Sequence, residues 1–90
     1  MSLTRKQVAA MQALANLTAK DQHACLPSIM ASLVDHPNVK EIEEADEAEV
    51  LGLYESLKSV HLVTEMEWEG KRCFALTTAG YRRPEINVWD

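Results

Sequence analysis

The feature that most constrains this chain is a change of hydrophobic period at Leu62. Upstream of it, Val50, Leu51, Tyr54 and Leu57 recur at the three- and four-residue spacing that gathers side chains on one face of a helix. Downstream, Leu62-Val63-Thr64-Glu65-Met66-Glu67-Trp68 alternates, as a strand with one wet face does. Glu69-Gly70-Lys71 supplies turn chemistry, and Arg72-Cys73-Phe74-Ala75-Leu76 returns. A helix therefore feeds directly into a β-hairpin. Along the outgoing strand Glu65, Glu67 and Glu69 share one face. Met66 and Trp68 share the other with Thr64, and that face is expected to be the core side, with Trp68 near the turn open enough to suit a protein interface.

The first half of the chain reads as helices. Thr4 followed by Gln7 forms a capping box, and Val8, Met11, Leu14 and Leu17 then recur between alanines, which predicts a helix over 5–18. Pro27 suits the first turn of a second helix, over 27–35, with Ile29, Met30 and Leu33 on its apolar face. His36-Pro37 ends it, because proline disfavours the α conformation in the preceding residue. A charged connection leads to Asp46 and Glu49, a second capping pair, and to a third helix ending near Val60. Gly52 inside that helix costs up to ~1 kcal/mol against alanine. It reads as an indifferent surface position in preference to a place of close approach. Thr77 or Thr78 caps a last short turn closed by Gly80. The expectation is an α+β domain, mainly α, over residues 1–80, followed by a tail over 81–90.

The order helix, short extended piece, helix, helix, hairpin resembles the winged helix: a three-helix bundle with a C-terminal β-hairpin wing. Leu51, Tyr54 and Leu57 followed by His61-Leu62-Val63 resemble the recognition helix and its exit in bacterial winged-helix regulators. Phe74-Ala75-Leu76-Thr77-Thr78-Ala79-Gly80 is similar to the end of the second wing strand in the same proteins. Residues His23 to Leu33 resemble the first strand and second helix of PadR-like and MarR-like regulators. His61 stands where these families usually carry glycine, so it is expected at positive φ, which histidine tolerates better than most residues. The resemblance implies a DNA-binding transcriptional regulator. About ten residues follow the wing, so a dimer built through extra helices in the usual way is not expected; the alternatives are a homodimer through the first helix or the tail, or a tail that packs on its own core.

Charge pulls the other way. The net charge is −5, whereas DNA binding draws most of its non-specific affinity from cations on phosphates. The outward positions of the third helix, Ala48, Glu49, Gly52, Leu53, Glu55 and Ser56, include no Arg, Lys, Asn or Gln, the residues best shaped for bidentate base contacts. The residues available for DNA are Ser56 and Lys58 at the end of that helix, Lys71 and Arg72 at the hairpin tip, and Arg82 and Arg83 beyond it. The alternative is a winged helix that binds protein instead, as an adaptor or as an acidic inhibitor mimicking DNA. It would offer a basic partner the acidic stretch from Glu41 to Glu49, through Glu43, Glu44, Glu47 and Glu49 with Leu53 as an apolar contact.

Other functions find little purchase. Neither a Gly-rich phosphate loop nor a nucleophile elbow is present, so no enzyme and no small-molecule substrate are expected. His23 lies two residues from Cys25, but the remaining histidines and Cys73 fall at no finger-like spacing, so neither metal nor cofactor is expected. Cys25 and Cys73 read as separate buried thiols of a reducing compartment. The first residues lack a signal-peptide pattern, and no run of about 18 uncharged apolar residues could cross a membrane. Together these point to the cytoplasm.

Overall fold

Side-chain caps set the starts of three helices. The Gln7 amide donates to Thr4 Oγ1 at 3.1 Å and the Thr4 amide to Gln7 Oε1 at 2.9 Å. The Glu49 amide donates to the Asp46 carboxylate at 2.8 Å, and the Gly80 amide to Thr77 Oγ1 at 3.1 Å. Each cap satisfies a backbone donor that has no partner within its own helix. A computed structural model describes residues 2–19, 23–32 and 46–86. Its elements are α1 (Arg5–Ala19), α2 (Leu26–Ser32), α3 (Glu47–Ser59), β1 (Val63–Trp68), β2 (Lys71–Leu76) and α4 (Thr78–Tyr81). The fold is thus α+β, with two longer helices, two short ones and an antiparallel hairpin. Leu33 and the acidic stretch up to Ala45, with Glu43 and Glu44, lie outside the described residues.

The hairpin pairs Val63 with Leu76 through Trp68 with Lys71. Its loop is Glu69-Gly70, both at positive φ (52° and 74°), as in the two-residue type I′ turn that matches strand twist. Upstream, His61 leaves α3 at φ 63°. That turn is tied to the far end of the hairpin: Thr77 donates its amide to the Leu62 carbonyl and its hydroxyl to the His61 carbonyl.

The core lies between α1, α2, α3 and the inner face of the hairpin. Met11, Leu14, Ile29, Val50, Leu57, Val63, Phe74 and Leu76 are buried there. Tyr54 of α3 stacks on Phe74 with ring centroids 4.7 Å apart and donates its hydroxyl to the Ala10 carbonyl of α1 at 2.8 Å. α1 is covered on more than one side. Ala9, Ala10 and Ala13 are as buried as Met11, while Val8 is half-buried. Small side chains there let neighbouring elements come close. Residues 81–86 turn back on this helix, burying Ile86 and bringing the Glu85 carbonyl to the Gln12 amide nitrogen at 3.4 Å.

Three expectations need correction. The Thr64, Met66, Trp68 face is the outer one, with Met66 46% and Trp68 39% exposed. Inward side chains come instead from Val63 and Glu65, because these are the positions opposite buried Leu76 and Phe74. Leu51 and Leu53 are both half-buried against the core, so Leu53 is not the open centre of an acidic face. Finally, Cys25 and Cys73 are not separate thiols but a disulfide. Cys25 forms a strand bridge with Cys73 beside β2, flanked by the Phe74 amide donating to the Ala24 carbonyl at 2.9 Å. Such a pair, outside the hydrogen-bonded ring, is where antiparallel side chains approach most closely. Separation along the chain hides it. The pairing removes the unpaired-thiol argument for a reducing compartment; among the described residues no helix is long and apolar enough to cross a membrane.

Candidate interaction surface

The surface of interest is made by the outward side of α3 and the hairpin it feeds. At the start of α3, Glu47, Ala48 and Glu49 are exposed, and Glu49 accepts from Lys6 of α1 at 2.7 Å. One turn on, Gly52 is exposed with nothing within 4 Å of where a β-carbon would lie. That open position agrees with its reading as an indifferent site. Ser56 is drawn inward: its hydroxyl donates to the Leu53 carbonyl at 2.6 Å and accepts from the Gln7 side-chain amide at 3.2 Å.

At the end of α3 four charges close into a clamp between helix and hairpin. Lys58 Nζ donates to Glu65 at 2.9 Å and reaches Glu55 at 3.3 Å. Arg72 donates from Nε to one Glu65 oxygen at 2.8 Å, and from Nη2 to the other at 2.9 Å and to Glu55 at 2.8 Å. The guanidinium also lies 5.7 Å from the centre of the Phe74 ring. Hydrogen bonds from Arg72 and then Lys58 hold the Glu65 carboxyl down to about 2. Bonds to Glu65 and then Glu55 raise Lys58 and Arg72 above their ordinary values.

The outer face of the hairpin is apolar and aromatic. The Trp68 indole stacks on the His23 ring with centroids 4.1 Å apart and planes 16° from parallel. Met66 lies on the same face, and Glu67 and Glu69 are exposed.

The residues proposed for DNA are scattered by these contacts. Lys58 and Arg72 come together, but inside a clamp with two carboxylates. Ser56 faces Gln7, and Arg83 pairs with Glu85 at 2.9 Å. Lys71 and Arg82 are exposed. Of the acidic set, Glu47 is open and Glu49 is shared with Lys6. Glu55 and Glu65 as clamp residues, and His23 as the partner of Trp68, are absent from the sequence reading. Glu55 and Lys58 are visible in the sequence as an i,i+3 pair. Glu65 meets Arg72 only as a diagonal cross-strand neighbour, which requires the register. Among the described residues no group of three or more His, Cys, Asp or Glu is placed to hold a metal ion. No protein-family model matches the chain, and no curated protein or solved structure matches it either.

Proposed function

We propose that this chain is a winged-helix-type domain that binds a basic protein partner, with α3 as its recognition-type helix and the β1–β2 hairpin as its wing. The clamp carries this reading. Lys58 and Arg72, the cations at the junction of helix and wing, are each held by Glu55 and Glu65, so that junction presents no net positive charge to a phosphate backbone. Counterion release, the main source of non-specific DNA affinity, requires cations free to meet phosphates. The exposed carboxylates Glu47, Glu55, Glu67 and Glu69 and the net charge of −5 favour a basic surface instead. An adaptor or an acidic inhibitor of a nucleic-acid-binding protein both fit this chemistry.

Exposed Lys71 and Arg82 support the second reading, a DNA-binding regulator of the PadR-like or MarR-like kind. A mobility-shift titration with duplex DNA at ~50 mM salt, where counterion release favours binding most, separates the two. Micromolar wild-type protein is expected to leave the duplex unshifted. The double variant Glu55→Gln, Glu65→Gln, which frees Arg72 and Lys58, is expected to shift it with an affinity that falls steeply with salt. A wild-type shift abolished by Lys71→Ala with Arg82→Ala would overturn the protein-binding reading in favour of DNA.

A further inference from the structure

β2 is flanked on one side by β1 and on the other by the Cys25 bridge, so among the described residues β1 is the edge of this small sheet. The direction of its free backbone groups follows from the register. The Thr77 amide bonds the Leu62 carbonyl, which makes Val63 and Leu76 a pair outside the hydrogen-bonded ring. Hydrogen-bonded and open pairs alternate in an antiparallel ladder, so Val63, Glu65 and Glu67 turn their N–H and C=O groups away from β2. Among the described residues nothing pairs with these groups. An exposed strand edge is a template for another strand, and natural proteins usually blunt it.

The side chains along this edge differ between its two faces. On the outer face stand Met66 and Trp68, the latter held flat by its stack on His23. On the other face Glu65 is already bound by Arg72 and Lys58, while Glu67, next towards the tip, is exposed and has no ion pair among the described residues. A second copy pairing β1 with β1 would set glutamates against glutamates, which is unfavourable for cross-strand neighbours. An incoming strand with apolar residues on one face and basic residues on the other would meet complementary chemistry on both.

We infer that the free edge of β1 accepts an extended peptide of alternating apolar and basic residues. Main-chain bonds to Glu65 and Glu67 supply affinity, and Met66, Trp68 and Glu67 select the side chains. The inference rests on the protein-binding reading and puts the contact on the wing edge rather than on the acidic face of α3.

The test uses a labelled hexapeptide alternating valine and lysine, titrated against the whole protein by fluorescence anisotropy, with amide hydrogen exchange read at saturation. Saturable binding is expected, with slowed exchange at Glu65 and Glu67. Trp68→Ala and Glu67→Lys should each weaken binding by roughly tenfold or more, as loss of a central interface residue does. Both side chains are exposed, and an unchanged melting temperature shows that the fold is kept. The same peptide N-methylated at alternate residues keeps its charge and side chains but loses the main-chain donors, and should not bind. Equal binding of the methylated peptide, unchanged exchange at the Glu65 and Glu67 amides, or no binding of the probe overturns the edge site. Any of these without a DNA shift leaves the protein-binding reading standing, whereas a wild-type DNA shift overturns that reading whatever the peptide does.

Discussion

Gly80 sits against the Leu62 carbonyl: a β-carbon there would collide with that oxygen and lie 3.1 Å from the Leu76 side chain. The backbone carbonyl cannot move without dragging the turn that joins α3 to β1. Gly80→Ala is therefore expected to destabilise the fold by about 1–3 kcal/mol, the range for overpacking a filled site. Gly52 is the opposite case, an exposed helix interior with open space around it. Gly52→Ala should stabilise by up to ~1 kcal/mol through helix propensity alone. Urea denaturation of the two variants side by side checks both signs. At this scale the sequence was legible wherever chemistry is local. The Thr4–Gln7 and Asp46–Glu49 caps, and His61 at positive φ, follow from neighbours within a few residues. The Thr77 cap of a short helix is legible, but the helix runs past Gly80 to Tyr81, and the packing of Gly80 against Leu62, eighteen positions earlier, is not legible.

Helix α3 and the hairpin are adjacent elements held by the core below and by the Glu55, Lys58, Glu65, Arg72 clamp above. The clamp has a defined pH response. The Glu65 carboxyl titrates at about 2 in the fold against an ordinary value of 4.5, so the unfolded chain takes up this proton first as pH falls. The stability it contributes is complete above about pH 4.5 and is lost between there and pH 2. Thermal melts should show the wild-type midpoint falling through this window more steeply than that of Glu65→Gln. Parallel curves would mean that Glu65 gains nothing from its partners. The hairpin's existence was legible from its alternating pattern and its turn, but which face points inward was not. Alternation gives two equivalent faces, and Met66 with Trp68 is the more apolar choice. The fold instead buries Phe74 and Leu76 from β2, and β1 contributes the face that register sets opposite them, through Val63 and the half-buried Glu65.

For the molecule as a whole, the disulfide is the contact of longest consequence. It joins residues 48 apart in sequence, so its chain-entropy contribution is about 4 kcal/mol. Reduction is expected to lower the unfolding free energy by roughly that amount. It should do so without changing the order of elements, since the core cluster is built without Cys25 and Cys73. Paired denaturant titrations with and without a dithiol reductant measure the difference, and a thiol assay on the unfolded, unreduced chain should read zero. Nothing within either cysteine's sequence neighbourhood announces the pair. Only the bridge beside β2 brings them together, and that bridge is a product of the complete fold.

The same bond makes the segment from Cys25 to Cys73 a macrocycle, threaded by α2, α3 and β1 and leaving α1 and α4 as its two branches. In a ring of this kind one break does not separate the parts. A protease that nicks the backbone once anywhere inside it yields a two-chain molecule whose halves remain linked. The nick adds one water and releases no fragment until a reductant opens the ring.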